Sequence, residues 1–309
     1  MTETNVLAVG LEPEPQDESV GAPRSLSSEA FRELRHNWLF WASLILIVIF
    51  LLMAAVPQLF TQTDPSKAVL KLSNTPPSSS QWFGRDTQGY DIFARTIYGA
   101  RASILVGLLA SVVTSIIGVI VGTLAAFYGG LADTLMMRLT DIFFAIPFLL
   151  GGILFMSTFP NTVNSNYFAI VGKVVLALSL LGWPSIARLM RGSVLQVQAN
   201  DYITAARALG AGPWRVIRSH ILPNAMAPVI VVSTINLGAY ISAEASLSFL
   251  GIGLVAPAIS WGVAISDSLN WIRVAPWSLL FPSLFLSLAV LAFIMLGDAV
   301  RDAFDPKTR

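Results

Sequence analysis

The sequence predicts an all-α membrane protein with six transmembrane helices, and three observations carry that prediction. Of its 309 residues 55% are hydrophobic and 12% charged, about half the charge of a soluble domain, whose whole surface must face water. The apolar residues gather into separated runs of about twenty, the helix length that crosses a bilayer core. Lys and Arg also fall unevenly between the segments that join those runs, which is the signal that sets membrane orientation.

Residues 1–37 form a tail that is acidic at first (Glu12, Glu14, Asp17, Glu18) and broken by Pro13, Pro15 and Pro23. Partial disorder is expected, because such a segment has little apolar surface to bury. From Ser28 to Asn37, Phe31 and Leu34 share a face among Arg32, Glu33 and Arg35, a pattern suited to the membrane surface. The first apolar run, Trp38 to Phe60, is too long and starts too late for a cleaved signal peptide. Residues 38–100 are therefore assigned to one transmembrane helix and a loop outside the cell, 101–298 to a helical core that includes the polar interval at about 188–224, and 299–309 to a second tail. Five further runs lie at about Ala102 to Phe127, Thr134 to Phe159, Phe168 to Ala187, Asn224 to Leu250 and Trp277 to Leu296.

An even number of spans puts both termini on one side. With the N-terminus cytoplasmic, twelve of the nineteen Lys and Arg residues are cytoplasmic and six are outside, mostly in one long loop with Asp64, Asp86 and Asp91. Long loops cross with little regard to charge. The expectation is a multi-pass protein of the plasma (inner) membrane, embedded in the lipid bilayer, with cytoplasmic termini.

Within the spans, Pro147, Pro184 and Pro228 predict kinks or ends. Small residues at four-residue spacing, Gly118 with Gly122 and the series Gly238, Ser242, Ser246, predict close helix contacts. Ionisable groups in apolar runs are costly and often functional. Lys173 reads as snorkelling or pairing at the interface, with solute contact as the alternative. Glu244 reads as a structural hydrogen bond at an outer gate or as part of the translocation path. Arg138 and Asp141, three residues apart, suit a local ion pair.

The polar interval from Arg188 to Asn224 is too long for a turn and reads as two helices. Asn200 or Asp201 can cap the first by accepting bonds from free backbone amides, Tyr202 to Leu209 continue it, and Gly210 supplies a left-handed stop. Gly212 and Pro213 restart the chain, proline being well placed in a first helical turn. Trp214 to Ile221 follow, and Leu222 and Pro223 end the element at the membrane. A helix, glycine, helix element on the inner face of a bundle is a docking surface for a soluble partner.

Several functions are excluded. With no cysteine the chain has no disulfide or thiolate chemistry, and His36 and His220 stand too far apart in sequence to suggest a metal site. Nothing points to nucleic acid. Gly172-Lys173 lacks the upstream glycine and following Ser or Thr of a nucleotide cradle, and no enzyme constellation occurs. An ion-coupled secondary transporter is the main rival. Such proteins commonly carry two related halves, and no internal repeat is visible here.

The polar interval also carries a resemblance. Tyr202 to Gly210, followed by Ile221-Leu222-Pro223, resembles the EAA loop of binding-protein-dependent ABC importers, with Gly210 in register. Phe83-Gly84-Arg85-Asp86, Gly89, Asp91 and Tyr98-Gly99-Ala100-Arg101 resemble the second permease subunit of the dipeptide, oligopeptide and nickel branch. So do Glu244 to Gly251, Gly297-Asp298, Arg301-Asp302-Ala303 and Asp305-Pro306. Two positions depart: Thr204 stands where the family most often has glutamate, and Tyr90 where it has arginine. The resemblance implies a type I ABC importer permease fold and a role in peptide uptake, with nickel or haem-like solutes as alternatives. It implies a homologous permease partner, two ABC ATPase subunits that hold ATP and Mg, and an extracytoplasmic solute-binding protein. In that family the coupling loop would here comprise Asp201, Tyr202, Thr204, Ala205, Ala206, Arg207, Gly210, Ile221, Leu222 and Pro223. No cofactor would be bound by this chain itself.

Overall fold

A computed structural model describes residues 34–161 and 165–304. The expectations for the first 33 residues, for Asp305-Pro306 and for the basic residues at the extreme C-terminus lie outside the described residues. Within them the chain is almost wholly helical. In order it forms α1 (Trp38–Ala55), α2 (Ile92–Tyr128), α3 (Gly130–Phe144), α4 (Phe148–Thr158) and α5 (Tyr167–Gln198). There follow α6 (Asp201–Ala208), α7 (Pro213–Val216), α8 (Leu222–Ala225), α9 (Ala227–Phe249), α10 (Trp261–Ser268) and α11 (Pro276–Phe304).

Helices α1, α2, α5, α9 and α11 are each long and apolar enough to cross a membrane, and α3 with α4 completes a sixth span if that bent pair is counted as one. The pair bends by 83° where Pro147 stands at the N-cap of α4. The residue before proline is driven out of the helical region, so the predicted break at Pro147 is a sharp elbow.

Helix starts follow ordinary capping chemistry. Asn37, Asp91, Asn166 and Ser260 each accept a backbone N–H from the first turn of α1, α2, α5 and α10 respectively, removing free donors that would otherwise face lipid. The last carbonyls of α1 are met from elsewhere. Arg101 donates through Nε to Ala54 O (2.8 Å) and through a terminal nitrogen to Ala55 O (3.2 Å), as cationic side chains do at helix C-termini.

The two longest helices, α2 and α5, pack against each other through glycine. A Cβ placed on Gly118 would lie 2.5 Å from Ile186 Cβ, and one on Gly122 would lie 2.3 Å from the backbone oxygen of Ala187. Small residues at four-residue spacing let the backbones touch where no hydrophobic force drives association. Gly238 plays a looser version of the same part between α9 and α11, its Cβ position 3.1 Å from Val290 O.

Three apolar clusters fill the bundle. One joins α2, α4, α5 and α9 around Met156, Leu178 and Leu247. A second joins α1, α2, α9, α10 and α11 around Phe50, Ile97 and Trp261. A third, around Ile186, Met190 and Ile203, joins α5 to the short helices α6 to α8.

Two expectations need correction. Pro184 does not end its span: α5 stays helical through it, the proline buried beside Gly182 and Trp183, and runs on past Arg188 and Arg191 to Gln198. Packing against α2 holds the helix where local propensity would break it, as membrane helices tolerate when neighbours satisfy the freed groups. The polar interval therefore begins as the end of a span. Leu222-Pro223, in turn, does not stop the second helix. Ile217–Ile221 widens into a π-turn, and Pro223 falls in the first turn of α8, where its missing N–H is harmless.

Candidate functional site

At one end of the bundle the chain from Ala199 to Met226 forms an elbow. Asn200 occupies the N-cap of α6 without capping it: its amide instead donates backwards to Gln196 O (3.3 Å) and Val197 O (3.0 Å), a correction to the capping expectation. Asp201 is the first residue of α6 and supplies an acidic charge in its first turn, which the helix dipole favours. The helix ends at Ala208, two residues before Gly210, whose φ of +85° is the left-handed conformation that glycine adopts without strain. Gly210 N–H bonds Arg207 O and Ala211 N–H bonds Ala206 O, both at 3.0 Å.

The elbow has two dissimilar faces. Ile203, Val216, Ile217 and Ile221 are buried against Ile186, Met190 and Val194 of α5, so the elbow is welded to that helix by apolar contact. Tyr202, Thr204, Ala205 and Arg207 point to solvent, and so do Leu209 at 89% and Trp214 at 69% exposure. Arg207 lies over the ring of Phe127 at 5.5 Å, tying α6 to the end of α2. Ala206 and Leu222 are half-buried and Pro223 is exposed. Leu209 and Trp214 were not among the sequence candidates. Their signal was present, two large apolar residues flanking glycines in an otherwise polar segment.

Charged pairs brace the same end. Arg191 meets Asp133 with two nitrogens, each 2.6 Å from a carboxylate oxygen, a bidentate geometry that fixes direction as well as distance. Arg188 reaches Asp141 at 2.6 Å and lies over Phe144 at 4.0 Å. The predicted Arg138 and Asp141 pair exists at a longer 3.8 Å, so Arg188 on α5 is the nearer partner.

The other two candidates lie at the opposite end. Lys173 donates to Pro160 O at 2.9 Å. Glu244 is fully buried: one carboxylate oxygen accepts from Ser248 Oγ at 2.7 Å, and that hydroxyl oxygen accepts the N–H of Leu254 at 2.9 Å. The second Glu244 oxygen has no hydrogen-bond partner among the described residues. Trp261 locks the neighbouring segment, its backbone N–H donating to Ser103 Oγ (3.3 Å) and its indole to Thr96 O (2.9 Å). Glu244 thus anchors the chain from Leu250 to Ser260, one wall of a cavity of about 480 Å³. No ion pair joins Lys173 to Glu244 among the described residues.

Residues 116–309 match the family model described as the binding-protein-dependent transport system inner membrane component, and residues 25–77 match the N-terminal transmembrane domain of oligopeptide transport permease C. The chain belongs to this transport family. Among family members, the oligopeptide transport system permease protein OppC of Bacillus subtilis is 41% identical over 285 residues, 92% of this chain and 91% of that protein. The dipeptide transport system permease protein DppC of the same organism is 40% identical, covering 92% and 87% of the two chains. A glutathione transport system permease protein, GsiD of Pectobacterium atrosepticum, is 39% identical over 76% of each chain. The fold is that of type I importer permeases. An inward-facing structure of the MetNI methionine ABC transporter superposes with a TM-score of 0.54 at 21% identity, covering 68% of this chain and 96% of that chain. An amino acid ABC transporter matches at 0.51 and 15%, covering 66% and 91%. This family member is accordingly a multi-pass permease component of a membrane transport system.

Proposed function

We propose that this chain is one of two homologous permease subunits of an ATP-driven importer of di- or oligopeptides, and that the elbow from Asp201 to Pro223 receives movement from an ATPase subunit. One observation carries the reading. The elbow is fixed to the bundle by buried Ile203, Val216, Ile217 and Ile221, yet it holds Tyr202, Leu209 and Trp214 out to water. Large apolar groups held out to water on a polar segment beyond the spans mark a surface that a partner covers. Asp201, Thr204, Ala205, Ala206, Arg207 and Gly210 shape that face, and Leu222 and Pro223 join it to α9.

In this reading the elbow is cytoplasmic, as are both termini, in keeping with the excess of Lys and Arg on that side. ATP and Mg belong to the two ATPase subunits, and a solute-binding protein delivers peptide at the opposite end. The names of the relatives support peptides as the solute class. Thr204 offers no charge, so contact with the ATPase there rests on shape and apolar area. Ligand-driven switching needs a partner that binds the two states of the pathway unequally, and an elbow rigidly joined to α5 can transmit that preference.

The test is copurification and uptake. Tagged chain from its native membrane should bring down two ATPases and a second permease. Leu209→Asp with Trp214→Ala should insert normally, lose the ATPases and abolish peptide uptake. Gly210→Pro, or a bulky residue at Ala206, should leave insertion intact and uncouple ATP hydrolysis from uptake. Peptide movement by the purified chain alone, driven by an ion gradient and indifferent to ATP, would overturn the proposal.

A further inference from the structure

The cavity at the end opposite the elbow is lined by two stretches far apart in sequence, Pro65 to Arg95 and Ser248 to Asp267. At about 480 Å³ it falls within the size range of small-molecule sites. Its apolar wall comes from Leu254, Val255, Ile259 and Val263. Its charges come from Arg95 and Asp267, with Asp86 directly behind Arg95.

These charges are unequally committed. One oxygen of Asp86 accepts the N–H groups of Gln88 and Tyr90, both at 2.9 Å, and the other meets Arg95 at 3.3 Å. Arg95 also lies over the Tyr90 ring at 4.6 Å, while its Nε is buried without a hydrogen-bond partner among the described residues. Asp267 is left over. Its nearest cation is the same Arg95 at 3.8 Å, beyond hydrogen-bond length, its side chain is 48% exposed, and it accepts no hydrogen bond among the described residues. Lys67 adjoins the lining residue Ser66 but forms no ion pair with Asp267 among the described residues. The cavity therefore offers one carboxylate without a hydrogen-bond donor beside an apolar wall, and the three charges Asp86, Arg95 and Asp267 sum to one negative charge.

We propose that this cavity binds a primary ammonium, namely the amino terminus of an extended peptide, with Asp267 as the counter-charge and the first side chain against Val255, Ile259 and Val263. The choice of a peptide as the molecule carrying that ammonium rests on the transport reading above; the need for a cation rests on the cavity alone. A peptide α-amino group is largely protonated at neutral pH and brings three N–H donors to a carboxylate that has none. A peptide carboxylate is disfavoured, because Asp86 and Asp267 together outweigh the single Arg95. Glu244 and Ser248 act here as positioning residues, holding the segment that carries the apolar wall.

The experiment uses the full chain in lipid nanodiscs, titrated with trialanine and with N-acetyl-trialanine and followed by saturation-transfer NMR. Acetylation removes the charge and leaves the backbone, so the acetylated peptide should bind about tenfold or more weakly, as expected for loss of a charge-assisted hydrogen bond. Asp267→Asn should weaken trialanine by a similar factor and erase the difference between the two peptides. Asp267→Ser is the second variant, with the same expectation. Equal affinity for the two peptides, unchanged binding to either variant, or no binding of trialanine to the wild-type chain would overturn the site. Peptide uptake by cells with and without the gene separates the two ideas. Gene-dependent uptake with equal affinities overturns the site and leaves the transport reading standing, whereas clear discrimination with gene-independent uptake does the reverse.

Discussion

Substituting Gly122 by alanine adds one methyl group at the closest approach of the two longest helices. The new Cβ would sit 2.3 Å from Ala187 O, 2.9 Å from Met190 Cβ and 3.0 Å from Arg191 N. Two of these atoms are backbone and cannot swing away. Restoring ordinary contact requires α2 and α5 to separate by about 1 Å, and forcing an extra methyl into close packing costs about 1–3 kcal/mol. The cost is set against alanine's helix preference over glycine, worth about 0.5–1 kcal/mol. A net loss of up to about 2.5 kcal/mol follows. Gly172, in α5 with nothing within 4 Å of its Cβ position, provides the control: Gly172→Ala has the gain without the clash and should stabilise by about 0.5–1 kcal/mol. Equilibrium unfolding of the purified subunit in mixed micelles, with both variants side by side, measures the difference. A Gly122→Ala protein as stable as Gly172→Ala would refute the claim that backbone contact at this point holds α2 to α5.

Other expectations follow from the same geometry. Removing either partner of the bidentate Asp133 and Arg191 pair, as in Asp133→Asn or Arg191→Gln, should destabilise by about 1 kcal/mol with a coupling of similar size in a double-mutant cycle. Glu244→Ala leaves the Ser248 hydroxyl without its acceptor and should cost about 2 kcal/mol, while Glu244→Gln keeps an acceptor oxygen and should cost less, the two being compared by thermal unfolding. Burial raises the Asp267 carboxyl above its ordinary value, against the opposing pull of Arg95. Its contribution to stability is then full below the ordinary carboxylate range and is lost as pH rises through the raised folded value. Asp267→Asn, neutral throughout, should gain on the wild type in melting temperature between about pH 4 and pH 8; a difference flat across that range would contradict the placement of Asp267.

Much of the bundle was legible because membrane spans are written as length and composition, which need no knowledge of neighbours. Gly118 and Gly122 announced a close contact, though not that α5 would be its partner. Pro147 announced a break, and the 83° bend is where the break became architecture. Pro184 left open whether its span would kink or end, and the helix runs through it, because a proline's local cost is set against packing with α2 that the residue type does not reveal. In the elbow, Gly210 was readable from its residue type alone. The outward stance of Leu209 and Trp214 was hidden, because exposure depends on which face Ile203 claims. The cavity beside Asp267 was illegible, for it joins segments more than 150 residues apart whose proximity only the fold creates.

An unbroken α5 has a geometric corollary. Its 32 residues make a rod about 48 Å long at the usual rise per residue, with the elbow clamped near one tip and Lys173 near the other. A tilt of about five degrees, pivoting at one tip, sweeps the other through about 4 Å, the width of a methylene chain. Had the helix ended at Pro184, such a swing would stop part-way along; because the helix continues through it, motion at one tip can reach the other.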